Sequence, residues 1–231
     1  MSASPFPSTE WNQVVRGRDA LAGLFLRYQK ALRAYLLHKQ RVPVSDIDDV
    51  LQGFVTSQMW EKDLLAKADP SRGKFRNLLL TALDRYVSNW IRHQYAEKRS
   101  PGAGAKLDVH RADVAAEPVK DGFDLEWART VLNQTVTRLR ESCEKAGRLD
   151  IWRVFEARLL RPILDQTPVP GYAELRRELR LESPAQAANL LTTAKRSYER
   201  ILRNVIAEYA GNEESIDGEI DDLLNLFAGG A

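Results

Sequence analysis

The side chains that most often carry chemistry are few in this chain: three histidines and one cysteine. His38, His93 and His110 form no spaced ligand set with Cys143 or with a neighbouring carboxylate, as a bound metal would require. Cys143 falls four residues after Leu139, a helical core spacing, so it reads as a packed thiol. A Cys–His nucleophilic pair is the weaker alternative. Gly102–Gly104 is linker-like and differs from the glycine-rich loop that cradles phosphates. These residues argue against an enzyme, a cofactor and a metal. What remains is binding chemistry. From Arg72 to Arg99 (RGKFRNLLLTALDRYVSNWIRHQYAEKR) cations are interleaved with aromatics. Arg72, Lys74, Arg76, Arg85 and Arg92 are followed by Lys98 and Arg99, and only Asp84 and Glu97 offset them. Tyr86 and Trp90 fall among these cations. An aromatic beside an arginine can stack an unpaired base while the cation meets a phosphate. The same pattern also fits a solvated basic helix docked on a core.

The elements that would position these residues are all helices. Phe75, Leu79, Leu83, Tyr86, Trp90 and Ile91 recur at three- and four-residue steps, so the basic stretch predicts one amphipathic helix. Upstream, Leu21, Leu24, Phe25, Tyr28, Leu32, Tyr35 and Leu36 predict another from Arg18 to Lys39. Pro43 ends it, and Ser45 with Asp48 reads as a capping box opening a second helix. There Ile47, Val50, Leu51, Phe54 and Val55 form the apolar stripe, and Asp48, Asp49 and Gln52 point away from it. Asp69, Pro70, Ser71 and Gly73 supply turn chemistry before the basic helix. Ser100 to Gly122 is rich in Gly, Ala and Pro without period and reads as a linker.

Beyond the linker, Leu125, Ala128, Val131, Leu132, Val136 and Leu139 predict a helix closed by Gly147 as a C-cap. Asp150 is expected to cap the next, packed through Ile151, Phe155 and Leu159 and stopped near Pro162. A short helix from Tyr172 to about Arg180, a tight turn, and a long helix from Pro184 follow the order of a helix-turn-helix. In that arrangement Gln186, Asn189 and Thr193 lie near a DNA groove, and Lys195, Arg196 and Arg200 reach phosphates. No strand pattern and no internal repeat is visible.

Charge narrows the reading further. The net charge of +2 excludes a polybasic nucleic-acid binder, but the charge is unevenly spread. After Arg203 there is no Lys or Arg, while Glu208, Glu213, Glu214, Asp217, Glu219, Asp221 and Asp222 are all acidic. Local basic helices suit a protein that meets DNA while something else holds it there. One cysteine leaves no internal disulfide. No apolar run reaches membrane-spanning length and no signal peptide opens the chain, which points to a cytoplasmic protein with no membrane partner.

Two small helical units, the first with a basic aromatic helix and the second with a helix-turn-helix pattern, resemble a bacterial RNA polymerase sigma factor of the extracytoplasmic-function type. The residues that carry the resemblance are DIDDVLQGF (46–54), LLAKADPSRGKFRNLLLTALDRYV (64–87), the AEKR ending at Arg99, FDLEWARTVL (123–132), YAELRREL and TTAKRSYERILR. The resemblance implies an all-α fold of two small domains joined by a linker. Residues 1–99 would be the region-two bundle, 100–122 the linker, 123–210 the region-four helix-turn-helix and 211–231 an acidic amphipathic tail. It implies that Asp48, Asp49 and Gln52 face the polymerase. It further implies that Arg72, Lys74, Arg76, Arg85, Trp90, Arg92, Lys98 and Arg99 serve the minus-ten element and its melting. Gln186, Asn189, Thr193, Lys195, Arg196 and Arg200 would serve the minus-thirty-five element. Implied partners are core RNA polymerase, promoter DNA and an anti-sigma or other sequestering protein. Three positions depart from the family pattern: Gly53 stands where a Glu is common, Asn89 where an Asp is frequent, and Arg180 where the turn usually has Gly. An alternative keeps the fold but makes it an interaction module serving mainly a regulatory protein.

Overall fold

The computed structural model describes residues 18–57, 74–98, 121–210 and 212–228. Among them the fold is all-helical, without a strand. The helices are α1 (Arg18–Lys39), α2 (Ile47–Phe54), α3 (Phe75–Lys98), α4 (Asp121–Lys145), α5 (Leu149–Phe155), α6 (Arg161–Leu164), α7 (Tyr172–Leu179), α8 (Pro184–Ala207) and α9 (Glu213–Ala228). None of them is long and apolar enough to cross a membrane.

The chain divides into two compact units, Met1–Arg129 with Glu208–Ala231, and Thr130–Ala207. These differ from the segments drawn on the sequence. The acidic tail belongs to the first unit, and so does the first part of α4, because Phe123 and Trp127 are completely buried there. Phe123 stacks on Tyr28 (6.1 Å between centroids) and meets Tyr35 edge-on (6.4 Å). Burying three large rings together outweighs any preference of the chain to break at the linker. The rest of this core comes from the helical spacings: Leu32 and Leu36 of α1, Ile47, Val50 and Phe54 of α2, and Phe75, Leu79 and Leu83 of α3. The side chains of Leu21 and Leu24 lie outside the described residues.

The second unit packs α5, α7 and α8 together. Phe155 stacks on Tyr198 (5.5 Å), and Leu175 and Ala187 bury against Ala157. Gly147 ends α4 as expected, with φ of 66°. The Arg148 N–H donates to the Cys143 carbonyl (2.8 Å) and the Gly147 N–H to that of Glu144 (3.1 Å), the two bonds of a Schellman close. Cys143 is buried, and desolvation pushes its thiol up, as fits the packed thiol that its spacing predicts.

Three local expectations are corrected. Ser45 and Asp48 make no capping box: a 3-10 turn (Val44–Asp46) leads into α2. Its last residue, Asp46, stays in the helical region, so it forms no side-chain cap, and Ser45 Oγ donates to Asp46 instead (2.7 Å). Asp150 lies inside the first turn of α5 and accepts two bonds from Arg148 (3.0 Å each), which hold its carboxyl below the usual range. Pro162 does not stop the helix. One wide π turn (Glu156–Leu160) precedes it, and α6 carries on to Leu164 with Pro162 buried. Such a turn relieves the clash a proline ring makes with the preceding helical turn.

Candidate functional site

On α2 the polar side is presented as the spacing requires. Asp48, Asp49 and Gln52 are exposed, opposite the buried Ile47, Val50 and Leu51. Asp48 accepts a bond from Arg33 Nε (3.2 Å), an exposed pair of little energetic weight. Gly53 has a packing reason. A Cβ there would lie 2.3 Å from the Tyr86 hydroxyl, whose ring meets Phe54 edge-on. A glutamate at this position therefore requires Tyr86 to leave its place.

The basic helix is split along its length. Its C-terminal half keeps Arg85, Asn89 and Arg92 exposed, at helical steps of four and three. Arg92 donates to Asn89 Oδ1 (2.5 Å) and to the Ser88 carbonyl (3.3 Å), so Asn89 pairs a cation. Trp90 is half-buried, with part of its ring left open to solvent. Arg72, Arg99 and the side chain of Lys98 lie outside the described residues, as do His110 and the loop before Lys74.

At the start of α3 the cations Lys74 and Arg76 are turned to α9, not to solvent as a nucleic-acid contact requires. The Arg76 side chain is 8% exposed. It donates to Glu219 Oε2 (3.0 Å), pairs with Asp222, approaches Asp124 (3.9 Å) and lies over the Trp127 indole (4.5 Å to the centroid). Lys74 donates to the Gly218 carbonyl (3.0 Å) and pairs with Asp222. Burial, and then the neighbouring Arg76 charge, push the Lys74 ammonium down. Glu219 is 3% exposed, and burial pushes its carboxyl up in spite of the guanidinium against it. The acidic partners come from α9, whose Ile216 and Leu223 are buried on either side of Glu219. Ile220 is half-buried, and Leu224 and Phe227 stay exposed.

In the second unit α7 and α8 are joined by a left-handed residue, Arg180 (φ 55°, ψ 42°). Its N–H and that of Leu181 (2.9 Å) both return to the Arg176 carbonyl. Arginine thus adopts the conformation that glycine would take most easily. Ser183 Oγ accepts the Gln186 N–H (3.1 Å) and Gln186 Oε1 accepts the Glu182 N–H (2.7 Å). Gln186 is therefore engaged in opening α8. Asn189, Thr193, Lys195, Arg196 and Arg200 are exposed, opposite the buried Leu190, Leu191, Ala194 and Ile201. Asn189, Thr193, Arg196 and Arg200 share one face by their spacing.

No protein-family model, curated protein or solved structure matches this chain.

Sequence reasoning missed the partners of the basic helix. Glu219, Asp222 and Trp127 were not among the candidate residues, yet they decide where Lys74 and Arg76 point. A signal was present in the tail. Glu219 sits on the apolar stripe between Ile216 and Leu223, and a carboxylate on such a stripe needs a buried cation to meet it.

Proposed function

We propose that this chain is a sigma-type transcription initiation factor of two helical units, acting in the cytoplasm with core RNA polymerase and performing no catalysis itself. The observation that supports it most is the α7–turn–α8 arrangement, with Asn189, Thr193, Arg196 and Arg200 along the exposed face of the second helix. A helix held by a shorter one and bearing amides, hydroxyls and guanidinia outward has the chemistry for base edges and phosphates. The exposed Asp48, Asp49 and Gln52 supply a separate polar face for the polymerase. In this mechanism α8 positions the upstream duplex, and Arg85, Trp90 and Arg92 receive bases of the opened strand. Opening costs about a few kcal/mol per extruded base, and stacking returns about 1–3 kcal/mol for each captured base. The three exposed cations of α8, Lys195, Arg196 and Arg200, give weak duplex affinity alone, so the polymerase must hold the factor in place. A separate sequestering protein is the expected regulator.

The test is assembly. The chain is expected to co-purify with core polymerase and to support promoter-dependent transcription, and Asp49→Ala/Gln52→Ala is expected to weaken assembly with helicity unchanged. Failure of the unaltered chain to bind core polymerase rejects this reading.

One observation favours a second reading, a sigma-fold module serving mainly a protein partner: Lys74 and Arg76 are engaged by α9. Under that reading the polymerase is not retained and a regulatory protein is.

A further inference from the structure

Helix α9 carries Glu213, Glu214, Asp217, Glu219, Asp221 and Asp222 and no cation. Its acidic groups do not all face water. Glu219 and Asp222 take the two cations at the start of α3 that a polyanion would otherwise contact, and the Gly218 carbonyl takes a second bond from Lys74. We propose that α9 is an autoinhibitory lid, an acidic helix that occupies in cis the Lys74–Arg76 cation pair and keeps single-stranded nucleic acid from it. The proposal rests on the nucleic-acid reading of α3 given above.

Four features make α9 a releasable element. It is a helix in its own right, since Asn212 Oδ1 accepts the Ser215 N–H (2.8 Å) and Glu213 and Glu214 complement the dipole of its first turn. Few apolar side chains hold it, Ile216 and Leu223 being its buried ones. Glu219, which faces Arg76, is poorly solvated: it is buried, and that burial pushes its carboxyl up even with the guanidinium beside it. Closing the lid thus spends part of its electrostatic gain on desolvation. Finally, Leu224 and Phe227 remain exposed on the helix (60% and 51%), an apolar edge by which a partner can draw it away. Phosphates offer Lys74 and Arg76 the same charge that Asp222 and Glu219 do, so strand and lid compete for one site.

The lid is tested with a fluorescently labelled single-stranded oligonucleotide, measuring affinity by anisotropy over a range of salt. Three proteins are compared: the full chain, full-length Ile216→Ser/Leu223→Ser, and the chain ended after Ala210. The serine variant changes no charge, so a change in its salt dependence reports cations uncovered. Each phosphate met on a single strand adds about 0.7 to the slope of log affinity against log salt, so both variants are expected to steepen it by about 1.4. A fourfold drop in salt then strengthens their binding about sevenfold more than that of the full chain. A peptide of residues 212–228 added to the shortened chain is expected to restore the shallower slope. The same peptide with Glu219→Ala/Asp222→Ala is not. An unchanged slope in variants with a normal helical spectrum overturns the lid. Loss of cooperative melting in both variants overturns it too, since a lid must leave what lies beneath it folded. Polymerase assembly measured on the same proteins separates the two ideas. An unchanged slope in a chain that joins polymerase rejects the lid alone. A steeper slope in a chain that does not join polymerase rejects the transcription reading and keeps the lid.

Discussion

Replacing Arg76 with alanine tests whether its guanidinium is the buried counter-charge of α9 in the closed arrangement. The side chain is 8% exposed, with Glu219 at 3.0 Å, Asp222 paired to it, Asp124 at 3.9 Å and the Trp127 ring 4.5 Å from its guanidinium carbon. Arg76→Ala leaves Glu219 buried beside Asp222 with Lys74 as the remaining cation. Breaking a buried pair by deleting one member costs about 3–5 kcal/mol, mostly the penalty of the charge left behind. Against a total of about 5–15 kcal/mol this removes about a fifth or more of the stability. At about 2–4 °C per kcal/mol for a chain of this size, the melting temperature falls by roughly 6–20 °C. An exposed arginine awaiting DNA predicts a change within about 0.5 kcal/mol.

The assay is denaturant unfolding followed by far-ultraviolet circular dichroism at neutral pH, run as a cycle with Glu219→Gln. Removing the buried charge should recover part of the loss, so the double variant is expected to be more stable than Arg76→Ala by about 0.5–3 kcal/mol. A single variant that loses less than about 1 kcal/mol, or a double variant no better than the single, refutes the buried-latch reasoning.

Three further outcomes follow from particular residues. Arg180→Gly relieves a left-handed conformation worth roughly 1–2 kcal/mol and adds about 0.5–1 kcal/mol of chain entropy to lose, so a net gain near 0.5–1 kcal/mol is expected; an unchanged or lower melting temperature contradicts it. Gly53→Ala drives a methyl to 2.3 Å from the Tyr86 hydroxyl and is expected to yield none of the usual helical benefit. In a Tyr86→Phe background that hydroxyl is gone, and the same change should stabilise by about 0.5–1 kcal/mol; equal effects in both backgrounds contradict the contact. Burial raises the Glu219 carboxyl above its ordinary 4.5, so its favourable contribution is complete below 4.5 and is lost as pH rises through the folded value. Paired denaturation of wild type and Glu219→Gln at pH 7.5 and 5 should show wild type gaining on the variant at the lower pH, and a constant difference removes Glu219 from the pH response.

Helix existence was legible because each apolar stripe repeats at three and four residues: Ile47, Val50, Leu51 and Phe54 were assigned to the core from spacing alone and are buried. Helix boundaries were legible where one residue decides them, as at Gly147. They were not where neighbours intervene. Asp150 has the side chain of a cap, but Arg148 two residues before it offers two charge-assisted bonds and takes it. Pro162 ends helices in general, and here a π turn before it lets the helix proceed. The unit boundary was missed for a tertiary reason, since nothing local to Phe123 or Trp127 says that they pack against Tyr28 and Arg76.

The candidate site shows the same division between local and distant causes. Arg85 and Arg92 are exposed because the residues on their own helix place them so. Lys74 and Arg76 carry the same charge on the same helix, yet they are turned to Gly218, Glu219 and Asp222, more than 140 residues away. Nothing within reach of α3 along the chain separates the two pairs. The separation comes from where the acids lie: six of them fall in α9 with no cation among them, on a helix whose apolar residues require it to dock somewhere. A one-sided acidic amphipathic helix docks where cations are weakest in partners of their own, and the start of α3 has no acidic residue in its first turn. The near-neutral total of +2 is thus an average over a basic helix and the tail that covers it. The number of phosphates the protein can meet depends on the position of α9, and net charge alone does not report it.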